Sequence, residues 1–252
     1  MIKIILLSFL LFSLTISSTE VKDKPRELTL ATTKWCPYTC FDKNKKYGVV
    51  GTYIRKIISS YGIELTINSY PWSRAIRLVE SKNVDGLLTA TPAEAPTLLF
   101  TEFPIDSYQM CFYTLSENQW TFNQPISFGS NLLAVVQDYG YGEPLDTYIK
   151  NNSLITTISG EDVSTRLISL LLNKRVDVIV ADKLVVEYKM ANNLISTDTI
   201  RQAGCLMENY FYLALSSTTE NKNLLTKISA DLIKPENINL YNSLKLKVSK
   251  SH

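Results

Sequence analysis

Histidine is nearly missing from this 252-residue chain: the single one, His252, is its last residue. With no interior imidazole there is no Ser-His-Asp or Cys-His hydrolase constellation and no histidine-based zinc site. Charge of one sign is missing as well. Lysine plus arginine count 26 against 24 acidic residues, a net +2 that falls to +1 once Lys3 of the apolar leader is set aside. No clustered basic face for nucleic acid is expected from that balance. Glycine and proline, nine of each, are too few for a collagen-like or low-complexity chain. Beyond the leader no apolar run reaches the roughly 20 residues of a membrane span. The turn Asp138-Tyr139-Gly140-Tyr141-Gly142, whose glycines permit close backbone approach, lacks the Lys and Ser/Thr of a phosphate loop.

What is there is ordinary globular material, 45% hydrophobic and 20% charged, with 14 tyrosines. At about 150 residues per domain the length implies one large domain or two small ones. Met1-Ile2-Lys3, the apolar run 4–16 and Ser17-Ser18-Thr19 have the layout of a secretory signal peptide over 1–19, cleaved after Ser18 or Thr19. The run is too short for a permanent membrane helix, and no cysteine follows it closely enough to take a lipid. A periplasmic or secreted location follows, in an oxidising space. Four cysteines, 36, 40, 111 and 205, permit three pairings. A local Cys36–Cys40 bridge is expected, with Cys111–Cys205 as its complement; buried free thiols in strands are the alternative for the second pair. The spacing is wrong for a redox-active CxxC, and too wide for a four-thiolate zinc site.

Strands are expected over 27–31, 65–70 and 84–90, alternating with helices over 52–61 and 72–82. Tyr53, Ile54, Ile57 and Ile58 mark the inner face of the first helix, and Ala75, Ile76 and Val79 that of the second. A long apolar and aromatic strand spans 105–115. The alternation then restarts with strands at 132–136, 154–158 and 176–181, helices at 143–150, 163–172 and 182–190, a strand at 207–215 and a closing helix at 222–233. The pattern is α/β: two lobes, each a mostly parallel sheet with flanking helices. The expected boundaries are lobe 1 over 20–115, lobe 2 over 116–205 and a return to lobe 1 over 206–252, with hinge crossings near 115–125 and 203–212. Ligands bind beyond the carboxyl ends of parallel strands, so loops 32–38, 89–94, 137–142 and 182–183 should line one cleft.

Trp35-Cys36-Pro37-Tyr38 after the first strand, Gly48 to Gly51 before the first helix, Pro71-Trp72-Ser73-Arg74-Ala75, Val84-Asp85-Gly86 and Val176-Asp177-Val178 through Asp182 occur in that order. In these features the chain resembles the bacterial periplasmic solute-binding proteins of extracellular solute-binding protein family 3, the polar amino acid type. The resemblance implies a type II periplasmic-binding-protein fold, no cofactor, and a role in ABC-type import or sensing. In that family a Thr-x-x-Arg after the third strand clamps the ligand carboxylate. Here the stretch is Thr91-Pro92-Ala93-Glu94, with a carboxylate at the arginine position, while Asp182 matches the family's partner for a ligand ammonium. An ordinary zwitterionic amino acid is thereby disfavoured, and a cationic, amine-bearing or uncharged polar solute fits.

The candidate binding residues are Trp35, Tyr38, Trp72, Arg74, Thr89, Thr91, Glu94, Asp138, Tyr139 and Asp182. Trp35 and Tyr38 offer aromatic walls and cation-π faces, against core packing for the first and an exposed turn for the second. Arg74 stands either as a substitute clamp or as a surface arginine paired with Glu80 or Glu94. Trp72 reads as a helix anchor more than a contact, Thr89 and Thr91 as hydroxyls or as strand filling, and Asp182 as a ligand group or an N-cap. The expected partners are a small polar solute and a membrane permease or sensor, with no nucleic acid, and the chain as a monomer. The alternatives are a dehydratase-type enzyme on the same fold, with Glu94 and Asp182 as acid and base, or a protein-interaction module.

Overall fold

A computed structural model describes residues 26–41, 47–123, 128–192, 194–196 and 198–249. The signal peptide expected over 1–19 lies outside the described residues. Strand β1 (Glu27–Thr32) runs into the Trp35–Cys40 loop, and α1 (Gly48–Ser59) follows. This helix starts four residues before the expected 52, because the cysteine loop supplies its first acceptors. Val49 N–H donates to the Pro37 carbonyl at 3.0 Å and Val50 N–H to that of Tyr38 at 2.9 Å. Such bonds satisfy donors that a helix start otherwise leaves open. Gly48 makes the join at φ 72°, and a Cβ there would sit 2.4 Å from the Tyr38 carbonyl oxygen. Gly48→Ala is therefore expected to cost about 1–3 kcal/mol and to displace the loop that carries Trp35. A urea unfolding midpoint read by tryptophan fluorescence checks both.

The chain continues through β2 (Glu64–Ser69), α2 (Trp72–Glu80), β3 (Gly86–Ala90), β4 (Leu99–Phe100), β5 (Asp106–Tyr108) and β6 (Met110–Leu115). Next come β7 (Leu133–Val136), α3 (Leu145–Asn151), β8 (Thr156–Ile158), α4 (Val163–Leu172), β9 (Val178–Asp182) and α5 (Lys183–Ala191). The chain closes with β10 (Ile200–Cys205), β11 (Asn209–Leu215), α6 (Thr219–Leu232) and α7 (Pro235–Ser249).

Two sheets result. The first has the order β2-β1-β3-β11-β4, with β5 added on β11, and the second β10-β6-β9-β7-β8. β1 is parallel to β2 and β3, and β7 is parallel to β8 and β9, while the crossing strands β5, β6, β10 and β11 pair antiparallel. Alternate residues feed opposite faces, as the pleat requires. In the first sheet Leu30, Leu88 and Leu213 join a core with Ile54 and Ile58 of α1, whereas Ala31, Leu87 and Ala214 pack under Trp72, Ala75 and Val79 of α2. In the second, Ala134, Ile179 and Ala181 face Leu167 and Leu171 of α4, and Leu133, Val135 and Val180 face the opposite side with Phe112 and Leu145.

The two Val-Asp motifs have one shared structural task. Asp85 accepts the Thr29 N–H at 2.7 Å and Asp177 accepts the Leu132 N–H at 2.8 Å. In each lobe the carboxylate just before the central strand ties down the neighbouring parallel strand. Both are thereby absorbed by the scaffold.

The expected strand 105–115 is two strands in different sheets. The chain crosses at Gln109, six residues before the expected boundary at 115, and returns over residues 206–208, inside the expected 203–212. The crossings are tied together by Leu206 N–H to the Met110 carbonyl (2.9 Å) and by the Gln109 amide to the Leu206 carbonyl (3.2 Å). Disulfides join Cys36 to Cys40 and Cys111 to Cys205, the latter between residues in register on β6 and β10. Two elements carry no readable pattern. β10 is the mixed stretch IRQAGC, and α7 lacks a continuous apolar stripe. α7 is held instead by Tyr241, whose ring lies tilted 4.9 Å from that of Tyr53 and whose hydroxyl donates to Asp106 at 2.6 Å.

Candidate functional site

The loops after β1, β3 and β7 meet between the lobes, where parallel strands end and open backbone groups gather. They enclose a cavity lined by Thr33, Trp35, Trp72, Thr89, Thr91, Glu94, Tyr108, Met110, Tyr139, Gly140 and Phe211. The cavity is small, about 30 Å³. Two lobes in this state are closed on each other.

Trp35 sits at the centre of an aromatic cluster, edge-on to Tyr108 (5.7 Å) and Phe211 (5.5 Å) and backed by Tyr38 at 4.3 Å. The loop that carries it is pinned by a Trp35–Thr39 bridge, by Thr39 Oγ1 donating to the Thr33 carbonyl at 2.8 Å, and by the Cys36–Cys40 disulfide. Trp72 at the start of α2 contributes both a ring and an indole N–H.

Glu94 organises the polar side. Its Oε1 accepts from Trp72 Nε1 (3.1 Å) and from Gly140 N–H (3.0 Å), and its Oε2 from Thr91 N–H (3.0 Å) and Thr91 Oγ1 (2.9 Å). Burial raises the carboxyl above its ordinary range, and the four donors oppose that rise without cancelling it. Gly140 lies in lobe 2 and the other partners in lobe 1, so the carboxylate spans the cleft. The close approach needs the glycine, since a Cβ at Gly140 would lie 3.1 Å from Glu94 Cγ. Tyr108 donates to the Gly140 carbonyl at 3.2 Å across the same gap. A further closure is ionic: Lys34 of lobe 1 meets Asp162 at the start of α4 at 2.9 Å, and Lys189 approaches the same carboxylate at 3.5 Å. The hydroxyls of Tyr139 and Thr33 are buried without a hydrogen bond of good geometry, although Thr33 is near enough to ease the raised phenol downward.

Of the residues singled out from the sequence, Trp35, Trp72, Thr89, Thr91, Glu94 and Tyr139 share the cavity, and four do not. Tyr38 turns behind Trp35 into a neighbouring cavity with Val49, Leu184 and Tyr241, its hydroxyl donating to the Ser107 carbonyl. Arg74 is neither a clamp nor paired with Glu80 or Glu94. Two residues along a helix place it about 200° from Trp72, exposed, with its guanidinium 5.4 Å from the Tyr70 ring. Asp138 is exposed in an outer groove of about 440 Å³ that continues the cleft past Glu80 and Asp146. Asp182 is buried at the hinge, capping α5 through Val185 N–H (2.9 Å) and accepting from Gln109 N–H (3.2 Å). Loop 182–183 therefore braces the crossing, and Glu94 and Asp182 are not a facing acid and base within the cavity. Tyr108, Met110 and Phe211 were not legible beforehand, because the hinge pairing that delivers them is long-range. Among the described residues no group of three or more His, Cys, Asp or Glu is placed to hold a metal ion.

Burial pushes the Asp182 carboxyl up to about 7, opposed by the N–H groups of Val185, Gln109 and Leu184 and assisted by Glu187. The unfolded chain titrates this group near 3.9. The folded state thus holds a proton that the unfolded state releases between about pH 4 and 7, and its contribution to stability is lost as pH rises through that window. Asp182→Asn is expected to flatten this part of the stability profile, read as urea midpoints at pH 5 and pH 8.

No model of a known protein family matches the chain, and no curated protein matches it by sequence. Solved structures do. An ancestral arginine-binding protein bound to arginine superposes at TM-score 0.70 and 17% identity, over 88% of this chain and 97% of that one. The arginine-, lysine-, histidine-binding protein ArtJ from Geobacillus stearothermophilus gives 0.71 and 16%, over 88% and 94%. A histidine kinase sensor domain with similarity to periplasmic binding proteins gives 0.71 and 16%, over 90% and 97%. At these identities the likeness is one of architecture: the chain has the two-lobed α/β fold of type II periplasmic binding proteins.

Proposed function

We propose that the protein captures a small polar solute, cationic or amine-bearing or neutral, by closing its two lobes on the interlobe cavity, and carries out no chemistry on it. The observation that supports this reading is the cavity itself: aromatic walls, a carboxylate that spans both lobes, and no lysine or arginine in the lining. A ligand carboxylate finds no cation there, whereas a cation or a neutral hydroxylated molecule meets faces and dipoles that fit it. Fixed hydrogen-bond donors around Glu94 suit recognition better than proton transfer. We take the captured solute to pass to a membrane permease or to be reported to a sensor, from a monomer in the periplasm or outside the cell.

Native mass spectrometry of the gently purified protein, followed by thermal-shift screening of amino acids, amines, polyamines and small sugars, tests the reading. A ligand that binds only the folded state at about 100 times its Kd adds about 2.7 kcal/mol of stability. A co-purifying adduct or a saturable shift is the expected result. No adduct and no shift across the panel would move the assignment to an enzyme or a protein-binding module.

A further inference from the structure

We infer that the solute is a small quaternary ammonium ion, held in an aromatic cage with Glu94 as its counter-charge. This rests on the solute-capture reading of the same cavity and narrows it. The rings of Trp35, Trp72, Tyr108, Tyr139 and Phe211 and the thioether of Met110 make up most of the lining. Faces of this kind attract a cation through the ring quadrupole. The decisive feature is the state of Glu94. A carboxylate has about four acceptor sites, and four donors already fill them: the Trp72 indole, the Gly140 and Thr91 N–H groups and the Thr91 hydroxyl.

Glu94 therefore offers negative charge without an open lone pair. Thr89 is occupied too, its hydroxyl 3.2 Å from that of Thr32. The hydroxyls of Thr33 and Tyr139 are buried in the lining without a hydrogen bond of good geometry. A primary ammonium brings three donors and a guanidinium five, more than this lining can accept without breaking the Glu94 network. A fully methylated nitrogen brings none, and needs only charge and apolar contact. The two hydroxyls suit a single alcohol on the same molecule. A zwitterion fares worse, because its carboxylate meets Glu94 and no cation.

The test is a ligand series on the unmodified protein, by isothermal calorimetry and tryptophan fluorescence. It compares choline and tetramethylammonium with 3,3-dimethylbutan-1-ol, the neutral carbon isostere of choline, and with glycine betaine, arginine and lysine. Choline is expected to bind saturably, roughly tenfold or more tighter than the isostere, betaine, arginine or lysine. Arginine or lysine matching choline would overturn the inference, and so would an isostere of equal affinity, since charge would then count for nothing. Saturable binding of a neutral sugar or an amino acid with none by choline would sink this inference and leave the solute-capture reading standing. No binding by any compound here or in the wider panel would remove both. Because the series needs no variant, loss of folding cannot obscure the result.

Discussion

Replacing Glu94 with alanine is expected to lower solute affinity by about 2–5 kcal/mol, roughly 30-fold and upward, while leaving both lobes folded. The effect is large because the carboxylate is the one side chain that joins the Trp72 indole, the Thr91 backbone and the Gly140 N–H of the opposite lobe. Truncation strands three N–H donors at once, and a buried donor left without an acceptor costs about 1–3 kcal/mol. Two of them belong to lobe 1, where they lose their partner whether the cleft is open or shut. Gly140 differs, since its N–H regains water on opening. The variant should therefore favour the open state, which small-angle scattering would register as a larger radius of gyration. Glu94→Gln is only a partial remedy, because the amide nitrogen would face a donor at either Oε1 or Oε2. Calorimetry with the solute found in the screen gives the affinity arm, and Lys34→Ala serves as a comparison. Its ion pair with Asp162 is partly exposed, 41% and 32% by side chain, so its loss should cost no more than about 1 kcal/mol.

The prominence of Glu94 was legible in the sequence, and its manner of action was not. The order of strands and helices follows from local periodicity, which is why loops 32–38, 89–94 and 137–142 were placed correctly around one cavity. Local pattern says nothing about which sheet a strand joins. The run 105–115 reads as one apolar strand, yet Tyr108 pairs with Asn209 in the first sheet and Met110 lies opposite Asp182 in the second. That break places two cavity residues on either side of Gln109. β10 and α7 escaped for a related reason. Each is held by long-range ties, among them Cys205 to Cys111 and the pairing with β6 for one and Tyr241 and Lys245 to Asp106 for the other, rather than by a repeating apolar face. Asp182 had two readings, and packing chose the N-cap because Gln109 and Val185 present their N–H groups to it at the hinge.

The largest loss of stability is expected from the paired change Cys111→Ser and Cys205→Ser. The bridge closes a loop of sequence separation 94 that contains every strand of the second sheet and helices α3, α4 and α5. Chain-entropy arithmetic for a loop of that size gives about 4–5 kcal/mol, and measured losses of native bridges run about 2–5 kcal/mol. For a chain of this length the melting temperature should fall by roughly 5–15 °C. The position matters as much as the loop. Cys111 and Cys205 lie opposite each other where both strands leave for the hinge, so the bridge keeps the ends of lobe 2 in register and confines bending to Gln109 and residues 206–208. Its counterpart, Cys36–Cys40, closes a separation of only 4, for which the same arithmetic gives roughly 2 kcal/mol. That smaller bridge holds the loop from which Trp35 enters the cavity. The two double variants should thus separate stability from recognition. Serines at 111 and 205 lower the melting temperature most and leave affinity near that of the parent at temperatures where the protein is folded, whereas serines at 36 and 40 lower the melting temperature less and affinity more. Melting curves and calorimetry on the two variants, each against the parent, give the four numbers that decide it.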